Sequence, residues 1–208
     1  MSDRSMPMDW PGPALKAVVI GASAGGVEAL LALTAALPAD FPAPVLVVLH
    51  RAPQPEGKLS PAALLARRCA LPVEDAWAGQ PLKPGRVLLA PADYHLLVDP
   101  GPDGPVAALS VDDAVLWSRP AIDPLFESAA HEYGAGLLAI VLTGASADGA
   151  AGALAVRAHG GRLWVQDPAE AVVPTMPQAA LDLAGADQVM SLNMMCDALG
   201  RTRAGGER

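Results

Sequence analysis

The sequence lacks an apolar run long enough to cross a membrane. Hydrophobic residues make up 52% of the 208 positions, yet the longest apolar stretches fall well short of the roughly 20 residues that a transmembrane helix needs. Residues 1–4 also carry no apolar core of a signal peptide. We therefore predict a cytoplasmic protein that does not insert into a membrane.

Cysteines and positive charges are also scarce. Cys69 and Cys196 stand apart, without a CxxC pair or metal-ligand spacing, which is typical of a reducing compartment and of a chain without a structural disulfide. The net charge is −8, whereas a nucleic-acid surface needs clustered Lys and Arg. We therefore expect no nucleic-acid partner.

Apolar runs and helix signals alternate along the chain. Continuous apolar runs at residues 17–20, 45–49 and 136–142 are typical of strands that are buried on both faces of a parallel sheet. Ser60 followed by Pro61 predicts a helix to about Arg68, and Asp123 before a proline predicts one to about Tyr133. The alternation predicts an α/β fold with a doubly wound, mainly parallel sheet and helices on both faces.

The middle of the chain has a different pattern. Short apolar runs at residues 86–90, 95–99 and 106–109 are separated by turn clusters, which predicts an antiparallel hairpin attached to the sheet. Further helices are predicted from Pro177 through Leu183 and over residues 192–199. We expect residues 15–200 to form a single domain, with a flexible leader at residues 1–14 and a flexible tail at residues 201–208.

The first predicted strand ends in a glycine-rich turn at residues 21–26. Gly21, Ser23 and Gly25 fit the G-x-S-x-G nucleophile-elbow pattern, in which glycines let the backbone turn sharply and expose a serine hydroxyl. The helix that follows offers free N–H groups suited to an oxyanion or a phosphate. This stretch alone leaves three interpretations open: a structural turn, a nucleotide cradle or a catalytic serine.

Three long apolar runs lead to chemically useful side chains. The first leads to Ser23, the second to His50 and the third, after a glycine turn, to Asp148. In an open α/β sheet the site lies outside the carboxyl ends of the strands. Serine, imidazole and carboxylate together are the parts of an acyl-transfer triad, so we predict these residues as nucleophile, base and orienting carboxylate.

Other histidines and aspartates compete for the last two roles. His95, which begins a predicted hairpin strand, is the more serious rival base, and Asp93 and Asp167 are rival carboxylates. His131 and His159 lie in predicted helices and are expected at the surface. The coincidence of three groups at three strand ends favours the first set. Their order along the chain differs from that of α/β-hydrolases, so the elbow pattern does not indicate that fold.

A nucleotide site is disfavoured by what is missing around the glycine turn. A dinucleotide-binding fold places an acidic residue after the second strand, where this chain has His50 and Arg51. Tyr94 and Tyr133 have no lysine four residues later, as short-chain dehydrogenases would require, and a Walker lysine is absent.

Taken together, these motifs resemble the catalytic domain of CheB-type protein-glutamate methylesterases of bacterial chemotaxis. The resemblance covers nearly the whole chain in family order. The matching segments are residues 20–26 (IGASAGG), 48–50, 84–91 with His95 and Leu96, 119–126, 142–150, and 166–168 with Met176 and Pro177.

The resemblance implies a function and a set of roles. The family hydrolyses γ-glutamyl methyl esters on the cytoplasmic helices of chemoreceptors and releases methanol, and some members deamidate receptor glutamines. It implies Ser23 as nucleophile, His50 as base and Asp148 as orienting carboxylate, with no metal or cofactor. For the oxyanion we nominate three backbone N–H groups, those of Ala24, Gly25 and Ala145.

Departures from the family pattern raise further expectations. Ala24 stands where threonine is common and Ala145 where methionine is common. The leader is too short for the receiver domain of typical members, so we expect no switching in cis by aspartyl phosphorylation, and either a constitutively open site or a separate regulator. Arg51 and Arg119 are candidate substrate-binding residues, although both could equally stabilise loops. The alternatives are a non-catalytic signalling module of the same fold and an esterase acting on another modified protein.

Overall fold

The computed structural model describes residues 15–51 and 59–202 of the chain. Strands and helices alternate along these residues. The strands are β1 (Ala17–Ala22), β2 (Val45–Leu49), β3 (Val73–Asp75), β4 (Gln80–Pro81), β5 (Val87–Leu89), β6 (His95–Asp99), β7 (Val106–Ser110), β8 (Leu137–Val141), β9 (Arg162–Gln166) and β10 (Gln188–Met190). The helices are α1 (Gly26–Ala35), α2 (Pro61–Leu65), α3 (Ile122–Tyr133), α4 (Ala150–Ala158), α5 (Thr175–Ala184) and α6 (Leu192–Arg201).

The central element is β1, which lies in the middle of a seven-stranded sheet with the order β10-β9-β8-β1-β2-β5-β3. Every pairing in this sheet is parallel. The middle strands are continuous apolar runs because both faces of the sheet are covered, and every residue of β1, β2 and β8 is buried. The predicted doubly wound parallel sheet is confirmed.

Successive residues of β1 point into two separate cores. Val18 and Ile20 pack with Leu30 and Leu33 of α1, in the core that α2 and α6 also line. Val19 packs in the other core, with α3, α4 and α5. The strands β2 and β8 pair with the two opposite edges of β1. The loop after β1 leads to α1 on one face of the sheet, and the loop after β8 leads to α4 on the other face. This divergence leaves a crevice at the carboxyl ends of the two strands.

A smaller antiparallel sheet with the order β4-β7-β6 packs beside the main one. Its core is the hairpin of β6 and β7, in which Leu97 lies opposite Ala108. The backbone N–H of Val98 donates to Ser128 Oγ at 3.0 Å, which ties β6 to α3. The hairpin predicted from the two later apolar runs is therefore confirmed.

Several element bounds differ from the predictions. The run at residues 86–90, expected in the antiparallel region, instead forms β5 of the main sheet, because its apolar side chains are buried on both faces. The short strands β3, β4 and β10 were not predicted, since two or three residues carry no periodicity. The second helix ends at Leu65 rather than near Arg68, and α5 begins two residues before Pro177, which the first turn of a helix tolerates.

The predicted leader at residues 1–14 lies outside the described residues, as does most of the predicted tail at residues 201–208. Arg201 itself ends α6. Within residues 15–51 and 59–202, no helix is both long and apolar enough to span a membrane.

Ser191 caps α6, and its hydroxyl accepts a hydrogen bond from Met194 N at 3.2 Å. Ser191→Ala removes this acceptor, so we expect the free energy of unfolding to fall by about 1 kcal/mol. Urea denaturation measures the change. Ser191→Asp keeps an acceptor at the helix start and is the matched control. Equal losses in the two variants would contradict the capping role.

Candidate active site

The carboxyl ends of β8, β1 and β2 bring three of the predicted residues to one edge of the sheet. Ala22 pairs with Leu49, so Ser23 and His50 leave neighbouring strands side by side. Two backbone hydrogen bonds continue the sheet past the strand ends: His50 N donates to Ala22 O at 3.0 Å, and Ser23 N donates to Thr143 O at 3.0 Å. Parallel pairing therefore places the predicted nucleophile between the other two loops.

The turn that carries Ser23 depends on two glycines. Gly25 is the N-cap of α1 and has a φ of +78°, a left-handed conformation that favours glycine, and a Cβ there would lie 2.7 Å from Val172. A Cβ on Gly144 would lie 2.9 Å from Ser23 Cβ and 2.7 Å from the side chain of Met176. The absence of a side chain at Gly144 therefore lets the loop after β8 approach the serine.

Thr143 joins the loops around Ser23. Its Oγ1 donates to Ala24 O at 2.8 Å and accepts from Val173 N at 2.9 Å. Its backbone N–H donates to the side chain of Gln166, at the end of β9, at 2.9 Å. These bonds tie the turn after β1 to segments that follow β8 and β9, so the position of Ser23 is determined by three strands.

His50 and Asp148 form a short ion pair, with 2.6 Å between His50 Nε2 and Asp148 Oδ2. Asp148 is completely buried. Its Oδ2 also accepts from Ile122 N at 2.6 Å, and its Oδ1 accepts from Asp123 N at 3.0 Å. A buried carboxylate is tolerated when donors surround it, and here the start of α3 supplies two of them.

The pairing with Asp148 determines which nitrogen of His50 keeps a lone pair. A carboxylate that accepts backbone N–H groups also accepts the ring N–H, so Nε2 carries the proton and Nδ1 has the free lone pair. Ser118 Oγ lies 3.3 Å from Nδ1 and donates to it. Ser23 Oγ has no hydrogen-bond partner among the described residues. Sequence reasoning missed Ser118, because a serine in a loop 68 residues away carries no local signal.

Three backbone N–H groups lie in the turns beside Ser23. Within the described ranges, no acceptor is found for the N–H groups of Ala24, Gly25 and Ala145. Gly144 N, by contrast, donates to Val173 O at 3.0 Å. Ala24 and Ala145 are exposed, and the N–H groups at the beginning of α1 add the positive end of a helix dipole. This arrangement suits an oxygen that develops negative charge beside Ser23.

His95 is buried and bonded to the backbone through both ring nitrogens. Its Nδ1 accepts from Ala121 N at 3.2 Å, and its Nε2 donates to Asp113 O at 3.2 Å. A histidine held in this way has no free nitrogen for a substrate, so His95 has a structural role. His131 and His159 are exposed and contact each other at the surface.

The rival carboxylates also have other partners. Asp167 Oδ1 accepts from Ala169 N at 2.9 Å within its own turn. Asp93 pairs with Arg119 at 2.7 Å. Neither is hydrogen-bonded to His50, whose ring nitrogens are bonded to Asp148 and Ser118.

The two candidate substrate-binding arginines make intramolecular contacts. Arg51 pairs with Asp75 at 2.7 Å and also donates to Ala90 O. Arg119 binds Asp93 and donates to the loop carbonyls of Val111 and Asp112, as in the structural alternative considered for it. Substrate binding by either residue stays a prediction that would require sharing these partners.

Asp123 is a further buried carboxylate that sequence reasoning assigned differently. The expectation was that it caps its own helix, α3. In the structure Asp148 caps α3, whereas Asp123 Oδ1 accepts from Gly149 N at 2.9 Å and Gly152 N at 2.7 Å, at the beginning of α4. The described residues contain no group of three or more His, Cys, Asp or Glu side chains that could hold a metal ion.

The fold is that of a doubly wound α/β protein with a serine and a histidine–aspartate pair at adjoining strand ends. The family model described as CheB methylesterase matches residues 18–199. The chain therefore belongs to the CheB methylesterase family.

Relatives and a solved structure agree with this assignment. A Leptospira interrogans relative is 35% identical over 182 residues, which are 88% of this chain and 92% of that protein. An Anaeromyxobacter dehalogenans protein named protein-glutamate methylesterase/protein-glutamine glutaminase 2 is 42% identical over 89% of this chain but only 52% of its own length. The crystal structure of the Thermotoga maritima CheB methylesterase catalytic domain matches with a TM-score of 0.84 and 34% identity, over 90% of this chain and 98% of that one.

Gly144→Ala tests the close approach around Ser23. The added Cβ would displace the serine, and a shift of about 1 Å can slow a reaction by roughly 100-fold. We therefore expect covalent labelling of Ser23 by a fluorophosphonate probe to slow by at least about tenfold. Gly136→Ala is the control, because the atoms nearest to its Cβ belong to the flexible side chain of Lys16. Labelling of Gly144→Ala at the wild-type rate would show that the serine tolerates the contact.

Proposed function

We propose that this chain is a protein-glutamate methylesterase that acts in the cytoplasm on γ-glutamyl methyl esters of chemoreceptor helices. Family membership and the names of the relatives support the substrate class. The observation that carries the proposal is the 2.6 Å His50–Asp148 pair at the strand end next to Ser23. In this proposal Ser23 is the nucleophile, His50 the general base and Asp148 the carboxylate that orients it.

The first half-reaction forms an acyl-enzyme. His50 Nδ1 takes the proton from Ser23 Oγ while Oγ bonds to the ester carbonyl carbon, and the carbonyl oxygen becomes an oxyanion. The imidazolium then gives this proton to the methoxy oxygen as the carbon–oxygen bond breaks, and methanol leaves. Asp148 stabilises the imidazolium through the hydrogen bond at Nε2.

The second half-reaction restores the enzyme. His50 Nδ1 takes a proton from water, whose oxygen attacks the acyl carbon, and the imidazolium returns a proton to Ser23 Oγ as the acyl–oxygen bond breaks. The products are a glutamate side chain and free enzyme. In both halves the oxyanion would accept hydrogen bonds from the unpaired N–H groups of Ala24, Gly25 and Ala145, and one such donor is typically worth about 10²–10³ in rate.

Before Ser23 can pass its proton to His50 Nδ1, the hydrogen bond from Ser118 Oγ to that nitrogen must break. The 3.3 Å contact between Ser118 Oγ and His50 Nδ1 is at the long end of O–H···N bonds, so Ser118 can give up this bond at small cost. The resting site thus keeps its base hydrogen-bonded, and a bound ester would favour the productive arrangement.

The same groups suit hydrolysis of a glutamine side chain. The relatives are named for both methylesterase and glutaminase activity. With an amide substrate, His50 would deliver the proton to the leaving nitrogen, and ammonia would replace methanol. We propose this as a second activity of the same site.

Methanol release from methylated receptor cytoplasmic fragments tests the proposal. We expect Ser23→Ala and His50→Ala each to reduce release by roughly 10³-fold or more, because members of a triad act as a unit. His131→Ala is the matched control for His50→Ala, since it removes an exposed imidazole near the end of α3, and it should retain activity. Circular dichroism confirms that each variant is folded. Wild-type-like release from Ser23→Ala would exclude the serine mechanism.

A further inference from the structure

Asp123 and Asp148 cap each other's helices. Asp148 precedes α4 and accepts the first N–H groups of α3, those of Ile122 and Asp123. Asp123 lies in the first turn of α3 and accepts the N–H groups of Gly149 and Gly152, at the beginning of α4. The carboxylate that holds His50 is thus anchored to α3, and the segment that carries it is anchored by Asp123.

The two helix starts are in close contact. A Cβ on Gly152 would lie 2.6 Å from Phe126 Cβ and 3.1 Å from Asp123 Cα. Gly149, which directly follows Asp148, has a φ of +95° and a Cβ there would lie 2.9 Å from Ile122. This packing leaves no room for a larger side chain at Gly149 or Gly152, so the two helix starts are held in close contact.

The negative charge on Asp123 goes beyond what capping requires. The pKa of Asp123 is raised to about 6, chiefly by burial and then by the charges of Asp148 and Glu127, against the lowering effect of the N–H groups of Gly152 and Gly149. An asparagine could accept the same two hydrogen bonds through its Oδ1 without this electrostatic penalty. A costly charge next to the active carboxylate therefore needs a reason other than stability.

We propose that Asp123 is a positioning residue of the active site, which holds the Asp148 segment in place and adds its negative charge to the field that stabilises the His50 imidazolium. The proposal rests on the proposed function, because it requires His50 to become protonated during the reaction. Asp123 itself touches neither substrate nor the reacting atoms. It acts through Asp148, which contacts both Asp123 N and His50.

The sign of the stability effect follows from the direction of the shift. An acid whose pKa is raised in the folded protein binds its proton more tightly there than in the unfolded chain. The stability that protonated Asp123 contributes is present at low pH and is lost as pH rises from about 3.8, the ordinary value, through about 6. Above pH 6 the ionised carboxylate lowers the free energy of unfolding, which a neutral side chain of the same shape would not do.

Asp123→Asn separates the two roles, because it keeps the capping oxygen and removes the charge. At pH 7.5 we expect a melting temperature at or above that of the wild type, with the difference shrinking toward pH 4.5. We expect kcat to fall by about three- to tenfold with unchanged KM, the effect of losing up to one unit of imidazolium stabilisation. The acid limb of the pH–rate profile should also move to lower pH, because His50 is then protonated less readily.

Two further variants complete the experiment. Asp99→Asn neutralises an exposed aspartate at the end of β6 and should match the wild type in every measurement. Glu127→Gln removes the other charge that raises the pKa of Asp123. Glu127 is exposed on α3, so we expect this variant to fold. Because Asp123 then ionises at lower pH, the acid limb of kcat should stay at its wild-type position or move to higher pH, opposite to its shift in Asp123→Asn.

The outcomes distinguish this proposal from the proposed function. Wild-type kcat and an unshifted acid limb in Asp123→Asn would overturn the positioning role, as would a loss of activity that merely follows a fall in melting temperature. If Asp123→Asn does not fold, an acid limb that moves to lower pH in Glu127→Gln overturns it. Full activity in Ser23→Ala would instead refute the triad, while the melting temperatures of Asp123→Asn would still report on the buried charge.

Discussion

The buried carboxylate of Asp148 is the group on which the site and its surroundings depend. A charge with no solvent exposure is stable only if donors replace the water that it has lost. Here these donors are the ring N–H of His50 and two backbone N–H groups at the beginning of α3. The same interactions therefore orient the imidazole, begin a helix and fix the packing of α3 against α4.

The parallel sheet makes this arrangement possible. Three adjacent strands, β8, β1 and β2, end at one edge, so residues far apart in the chain meet without long loops. Thr143 and Gly144 then bring the loop after β8 against Ser23, one by hydrogen bonds and the other by having no side chain. The rigidity comes from the backbone of the sheet, whereas the chemistry comes from short loops at its edge.

Several features of the edge favour reactivity, and one of them lowers stability. Asp123 is a second buried carboxylate, and its raised pKa means that its ionised form lowers stability at neutral pH. Among the described residues, no protein partner is found for the N–H groups of Ala24, Gly25 and Ala145 or for the hydroxyl of Ser23, which leaves them available to a substrate. Their concentration beside one histidine is typical of a site that is organised for charge development rather than for stability.

The strand-end residues could be predicted because their signals are local. Ser23 and His50 directly follow continuous apolar runs, and the register of parallel strands then puts them side by side. Ser118 and the role of Asp123 could not be predicted, since each depends on a partner that is distant in sequence. The strand β5 was assigned to the wrong sheet for the same reason: a three-residue apolar run does not show which strand it will pair with.

The amino-acid sequence by itself determined the α/β alternation, the apolar strands and the order of chemically active residues, because local hydrophobicity and turn propensity set these features. Only the tertiary structure decided which histidine nitrogen is free, which carboxylate caps which helix and which histidine is held by the backbone. These outcomes depend on distances of about 3 Å between residues separated by 18 to 98 positions. No local pattern encodes them, since they arise only when two cores pack on opposite faces of one sheet.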